Sequence, residues 1–431
     1  MAPKIAIIGA GPGGCLLSCL LQTHNIPTTI FEAEASVNYR SQGGTLDLRT
    51  STGLAAIKRA GLWDEFQKFA RYDGEAFLLT DKNLTTWLRR GGRANAEGSK
   101  GSAKIGEAPE IDRAELRRLL MNGLPEGTVR WDYKLSRIEE SPSGLSLHFA
   151  NGQILDGFDL VVGCDGAFSK TRTVLSSERP YYTGLGGWTM NIPSASSTAP
   201  DVYKLVNRGS VFVYSDFKTV CIQQLGDESL YVSYYGPNPE DYTKTCGFDA
   251  QNDIEAAKAV MLKELSGWHP GILAAIEKST YGLVWRNLYQ LPVGFTWPHR
   301  AGVTLLGDAA HVMTPFAGVG VNTACWDAML LADQIIEYTS SSSSAHSSNT
   351  NQVEALDPYI RQYEKNMYTH AHAEQELTEG SKIDMLFTAG APRTTVARWA
   401  VRLAKGAFPV WSRWLLTVVV HVGFWVYGWF V

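Results

Sequence analysis

The chain has 431 residues, 45% of them hydrophobic, and a formal net charge of −4. That length and apolar share build one elaborated domain or two and exclude a disordered chain, while the slightly acidic balance leaves no basic footprint for nucleic acid. Six cysteines, Cys15, Cys19, Cys164, Cys221, Cys246 and Cys325, lack CxxC spacing and read as thiols of a reducing compartment, not as a disulfide or zinc framework.

The first apolar run starts almost at once, with no signal peptide before it, so the N-terminal half is expected to be cytoplasmic. Lys4 to Ile8 reads as a buried strand. The GAGPGG that follows puts Gly9, Gly11 and Gly14 at the three glycine positions of a strand–turn–helix dinucleotide fingerprint. Gly9 permits the tight turn and Gly11 lets a pyrophosphate approach the backbone. Gly14 lets a helix over residues 15–22 pack on the strand with its N-terminus toward the phosphates. Thr28 to Glu32 (TTIFE) adds the second strand and an acid placed for ribose hydroxyls. The pattern predicts a bound adenine dinucleotide, the plain alternative being a glycine-rich turn with an incidental glutamate.

In the loop RSQGGTLD (residues 40–47) the Gly43-Gly44 pair suggests close backbone approach to a ligand. Arg40 and Asp47 are its polar candidates, against the plainer readings of a surface arginine and a helix-capping aspartate. A helix follows over residues 52–60, residues 77–88 suggest a hairpin, and residues 89–106 form a polar glycine-rich loop. In EIDR (110–113) Asp112 is placed to cap a helix carrying Leu116, Leu119 and Leu120 on one face. That leaves Arg113 at a helix start, where its fork could reach phosphate or a ring edge.

Residues 128–131, 135–138 and 145–149 read as strands, with a hairpin turn at Asn151-Gly152. FDLVV (158–162) is a buried strand running into a second glycine-bearing turn, GCDGAFSKTR (163–172), which is more than one nucleotide-binding unit needs. Residues 181–290 have short alternating runs rich in Trp and Tyr and one helix near 253–265, the texture of a mainly antiparallel sheet that walls a ligand pocket. A third buried strand, residues 303–306, precedes GDAAHVMTPFAGVGVN (307–322) and a helix over 323–338, whose positive end suits an electron-rich group. Residues 340–351 read as a low-complexity disordered loop, and residues 353–387 as a helix. His370 and His372 fall on different faces of that helix, which argues against a metal site.

Three separated motifs coincide: GAGPGG with Glu32, CDG at 164–166, and GDAAH with PFAGVGVN. Their order and spacing resemble the single-component, FAD-dependent aromatic hydroxylase superfamily (group A flavoprotein monooxygenases). RSQGGTLDL and EIDRAELRRLL make the chain most similar to the tetracycline-inactivating branch. The resemblance implies an α/β fold, a Rossmann-like FAD-binding domain with an inserted, mainly antiparallel substrate domain and C-terminal helices. It implies that Glu32 binds the adenosine ribose, that Arg113 and Asp47 contact FAD, and that Asp308 binds the ribityl chain. Arg40 would serve the nicotinamide cofactor, and Asp165 both FAD and NADPH. Gly320 and Val321 would meet the flavin at a helix start. NADPH would reduce FAD, O2 would add at the flavin C4a carbon, and the hydroperoxide would pass one oxygen atom to an aromatic or polycyclic substrate, with no catalytic triad. His311, which could be mistaken for a base, is read as a packing residue.

The branch's polar and basic substrate contacts are replaced here by Thr189 and Tyr231, while Phe316 is retained beside Pro315. With Trp188, Phe212, Tyr214 and Trp285 this lining suggests a flat, largely apolar molecule of secondary metabolism, in a monomeric enzyme. The expected division is an FAD-binding domain over 1–175, the substrate sheet over 176–298 and a return segment over 299–339. A loop over 340–352, helices over 353–400 and a hydrophobic tail over 401–431 follow. Within that tail, residues 414–431 would span ~27 Å as a helix at about 1.5 Å per residue, near the lower limit of a membrane anchor. The alternative is a C-terminal helix or strand packed on the domain. Two other functional readings are a flavin oxidoreductase of the same fold without oxygen insertion, and a non-enzymatic scaffold at a membrane.

Overall fold

The computed structural model describes residues 2–37, 43–91, 106–141, 144–345 and 351–429. Ile5–Ile8 is buried along its whole length and pairs in parallel with Leu160–Gly163 on one side and Thr28–Phe31 on the other. Val303–Leu305 and Val129–Arg130 complete a five-stranded parallel sheet. Unbroken apolar strands of this kind need cover on both faces. The helices Pro12–Gln22 and Gly320–Ala345 pack together within the core on one side, while the rings of Tyr133, Phe149 and Phe158 gather on Phe31. The helix Gln352–Leu386 packs along Gly320–Ala345, and its Tyr363 hydroxyl donates to the Leu305 carbonyl at 2.8 Å.

The second sheet has seven strands in the order Tyr281–Gln290, Tyr181–Ile192, Leu230–Pro237, Lys218–Gln224, Ser210–Ser215, Phe77–Thr80, Thr86–Arg90. Its pairings are antiparallel except that of Ser210–Ser215 with Phe77–Thr80. The 77–90 hairpin therefore belongs to this sheet, although it lies far upstream in sequence. One face carries a core of its own with the helices Pro200–Val206, Ile254–Glu264 and Pro270–Glu277. The opposite face, with Phe212 and Tyr214, looks toward Phe316 of the first domain.

Two local expectations fail. The serine-rich stretch is helical as far as Ala345, because residues added to an existing helix need no new nucleus; residues 346–350 lie outside those described. Asp112 occupies the N-cap position of Arg113–Asn122 without capping it. Its carboxylate instead accepts from Arg71 Nη2 at 3.0 Å and from the Gly226 N–H at 2.9 Å, tying this helix to the second sheet.

Candidate active site

Three turns meet at the C-terminal edge of the parallel sheet, where such sheets bind ligands. In the first, Gly9 has φ +105°, and a Cβ there would lie 2.4 Å from the Cys164 carbonyl oxygen. A Cβ on Gly14 would lie 2.3 Å from the Gly9 oxygen. These glycines are fixed by packing. Gly11 differs: nothing lies within 4 Å of its Cβ position, and no side chain caps the helix that starts beside it. That open side and the unused N–H groups of the first turn form a cradle of the right chemistry for a pyrophosphate. Glu32 borders it, one carboxylate oxygen accepting from the Ala10 N–H at 2.6 Å and the other from the Glu34 N–H at 2.9 Å.

The second turn is braced from within. Asp165 accepts from Ser169 Oγ at 2.6 Å, from the N–H groups of Lys170 and Thr171 at 2.7 and 3.1 Å, and from Thr171 Oγ1 at 3.3 Å. Its carboxylate thus holds the shape of its own loop. Arg172, which the sequence reading passed over, is buried and donates to the carbonyls of Ala309 at 2.8 Å and Ala167 at 2.6 Å, joining the second turn to the third.

In the third turn Asp308 keeps accessible surface although protein surrounds it, as does Arg113. Burial raises the Asp308 carboxyl above its ordinary range, opposed by His311 and Arg113. Burial likewise lowers the Arg113 guanidinium, opposed by Tyr231, Asp308 and Tyr235 and reinforced by Arg286. Groups both accessible and crowded line a cleft, and here they are one acid and two arginines with the Tyr231 and Tyr235 rings. Arg286 had no signal beyond its strand: it is the residue after Trp285 and so takes the opposite face.

His311 is buried, its Nε2 2.6 Å from Asp327 Oδ2. Burial alone would lower this imidazole, but Asp327, by charge and hydrogen bond, and Asp308 together bring it above its ordinary value. It is a brace, as its place in the motif suggests. Asn322 is a second brace: its Oδ1 accepts from the Arg49 N–H at 2.9 Å, Thr52 Oγ1 at 2.8 Å and the Gly53 N–H at 3.2 Å, while its Nδ2 donates to the Asp47 carbonyl at 2.8 Å. The Asp47 carboxylate pairs with Arg49 at 3.0 Å beside Gly318. Gly320 opens the long helix with nothing within 4 Å of its Cβ position, Val321 is half-buried next to it, and Pro315 is exposed in the preceding turn. An uncapped helix start at Gly11 and a second helix start at Gly320 with open space beside it, with Asp308 and Arg113 between the two sheets, fit an adenine dinucleotide bearing a flavin. Arg40 lies outside the described residues.

The proposed pocket lining divides. Phe212, Tyr214 and Phe316 share one apolar cluster, and Tyr231 lies on the same sheet face as Thr189 of the neighbouring strand. Trp188 and Trp285 do not join them. They pack edge to face at 4.6 Å in the core on the other side of the sheet, where Trp188 Nε1 donates to the Ala250 carbonyl at 2.8 Å. Strand alternation forbids successive residues such as Trp188 and Thr189 from sharing a face. The Gly43-Gly44 pair also meets something other than expected, since a Cβ on Gly43 would lie 2.7 Å from Tyr231 Cε2. Its close approach is to that ring. The His370 ring lies tilted against Trp326 at 5.2 Å and His372 faces the Phe295 carbonyl at 3.3 Å.

Residues 3–356 match the model of the FAD binding domain family. The chain is 28% identical to monooxygenase asqM of Emericella nidulans over 87% of this chain and 94% of that protein. It is 25% identical to 6-hydroxynicotinate 3-monooxygenase of Bordetella bronchiseptica over 78% and 83% of the two chains. HpxO of Klebsiella pneumoniae, solved with FAD and uric acid, shares the fold with a TM-score of 0.69 at 18% identity, over 93% of each chain. The chain belongs to the FAD binding domain family, and it is an FAD-dependent monooxygenase built on the aromatic-hydroxylase fold.

Proposed function

We propose that the protein uses NADPH and O2 to insert one oxygen atom into a planar aromatic or polycyclic small molecule of secondary metabolism. The observation that carries this reading is the cleft itself. Asp308 and Arg113 stand between three nucleotide-binding turns on one side and a sheet face bearing Phe212, Tyr231 and Tyr235 on the other. In this reading residues 1–175 and 299–339 hold FAD, and residues 176–298, with the 77–90 hairpin, hold the substrate. When bound, FAD would supply the redox chemistry, taking electrons from NADPH and activating O2.

The chain's own residues position and shield. Gly11 gives the pyrophosphate its approach, Glu32 has the ribose beside it, and Asp308 takes the ribityl hydroxyls. The start of the Gly320–Ala345 helix would face the charge of a reduced ring, where its first-turn N–H groups would stabilise negative charge without reorganising. Asp165, with its carboxylate occupied, serves through the shape it gives the second turn. Phe212 and Phe316 form an apolar wall that excludes water. Tyr231, with Thr189 on the same face, and Arg286 offer polar contacts to a phenol or heteroaromatic edge. The substrates named for two relatives, 6-hydroxynicotinate and 3-amino-4-hydroxybenzoate, are flat aromatics with such edges.

Anaerobic mixing of the purified flavoprotein with NADPH, with and without members of a panel of planar phenols and hydroxylated heteroaromatics, tests the reading. Flavin absorbance should bleach, and faster with a true substrate. A flavin that NADPH leaves oxidised under every condition would overturn it.

A further inference from the structure

The helix Arg413–Tyr427 meets the protein along one narrow stripe. Arg413, Leu416, Val420, Phe424 and Tyr427 recur at helical spacing and are its half-buried residues, while Trp414, Leu415, Val418, Val419, Val422, Trp425 and Val426 are all exposed. Its far end is pinned. The Tyr427 hydroxyl donates to the Thr86 carbonyl at 2.5 Å, the Tyr427 ring meets Trp87 edge to face at 6.2 Å, and Arg393 Nη2 donates to the Gly428 carbonyl at 3.3 Å. Val410–Tyr427 is long and apolar enough to cross a bilayer, yet none of it could do so while Tyr427 stays on the substrate sheet.

Charge identifies what covers the outer face. From residue 385 to the C-terminus the sequence holds five cations, Arg393, Arg398, Arg402, Lys405 and Arg413, and no acid. Arg398 and Arg402 are engaged by Asp384, but Arg393 and Arg413 donate to backbone carbonyls and pair with no acid among the described residues. Trp411 and Trp414 at one end and Trp425 and Trp429 at the other are 64–77% exposed, the residue type that settles at a membrane–water interface. An apolar face flanked by tryptophans and unopposed cations matches an anionic lipid surface, and a protein partner of ordinary polarity matches it poorly.

We propose that this helix lies in the plane of an anionic bilayer surface with its outer face in the lipid, holding the catalytic body against the membrane without crossing it. Phe424 and Tyr427 belong to the same apolar cluster as Phe212, Tyr214 and Phe316, so lipid contact adjoins the substrate wall. Entry of a lipophilic aromatic from the bilayer rests on the function proposed above; the docking itself does not.

The test floats full-length flavoprotein with vesicles of phosphatidylcholine alone or with phosphatidylserine. The protein should rise with the phosphatidylserine vesicles and leave them as salt is added, because the basic part of the attraction is screened. Trp414→Glu/Val418→Glu/Val422→Glu should reduce vesicle binding by at least about tenfold while flavin content is unchanged. A protease-cleavable peptide added after Val431 should remain cleavable from outside sealed vesicles. Failure to float, undiminished binding by the triple variant, or a protected C-terminal peptide would overturn the proposal. So would a dimer that ignores vesicles and dissociates in the triple variant, which would make a second copy the occupant. Flotation needs no turnover, so an inactive protein that floats would count against the oxygenation reading and leave the docking intact.

Discussion

His311 Nε2 stands 2.6 Å from Asp327 Oδ2, and the same oxygen accepts the Gly307 N–H at 2.9 Å. One buried carboxylate on the long helix thereby fixes both ends of the short turn that presents Asp308. Replacing it leaves a buried imidazole and a buried N–H without their partner, a change worth about 3–5 kcal/mol when one member of a buried pair is removed. Asp327→Ala should lose stability of that order and retain less FAD than the parent after gel filtration. Denaturant unfolding and the flavin-to-protein absorbance ratio measure the two effects.

Asp308→Ala separates binding from bracing. It removes the carboxylate that faces the cleft and leaves the Asp327 pair in place. Charge-assisted hydrogen bonds are worth roughly 1.5–3 kcal/mol each, so FAD affinity should fall roughly 10- to 100-fold, with apoprotein stability little changed. Fluorescence titration of apoprotein with FAD reads this directly. Unchanged affinity would remove Asp308 from the cofactor site.

The Gly43–Tyr231 contact gives a double-mutant test. A Cβ at residue 43 would sit 2.7 Å from a crowded ring carbon, an overpacking that costs about 1–3 kcal/mol where the ring has no room to yield. Gly43→Ala should destabilise the parent and cost under about 0.5 kcal/mol in a Tyr231→Ala background, a coupling that denaturant unfolding of the four proteins resolves. Additive losses would mean that the loop lies elsewhere in solution.

Glu110 carries a pH dependence. Burial pushes its carboxyl from 4.5 up to about 7, with Arg71 and the hydroxyls of Thr45 and Ser210 opposing. The folded state therefore holds this proton more tightly than the unfolded chain, and stability must fall as pH rises through the window from 4.5 to about 7. At about 1.36 kcal/mol per pH unit the loss is at most about 3 kcal/mol. Glu110→Gln should flatten that slope and be more stable than the parent at pH 8, as thermal or denaturant unfolding across the window would reveal.

The three glycine turns were legible because each rests on local chain geometry: a tight turn at Gly9 under a helix packed on Gly14, a buried strand running into Gly163 and Gly166, a helix opening at Gly320. The residues that connect those turns left no local trace. Arg172, Asn322 and Asp327 act on partners 137, 275 and 20 residues away, so their sequence neighbours say nothing of their task. The aromatic wall was half legible. Alternation separates Thr189 from Trp188, but the sequence does not say which face looks at the cofactor; the register with Tyr234 and Trp285 decides it. Gly43-Gly44 announced a close approach, and its partner, Tyr231, lies on a strand almost two hundred residues later. The apolar C-terminal run announced either a spanning helix or a helix or strand packed on the domain, and only the bond from Tyr427 to Thr86 turns it along the domain.

The cleft, as proposed above, delivers one atom of O2 to an aromatic molecule. The direct measurement is turnover under isotopically labelled O2 with NADPH and the panel compound that most accelerates flavin reduction, followed by mass spectrometry of the product. Each product molecule should carry one labelled oxygen atom, and the product should be unlabelled when the label is supplied as water. Substrate converted without label, or turnover that proceeds equally well without O2, would contradict that delivery and make the protein a flavin oxidoreductase that inserts no oxygen.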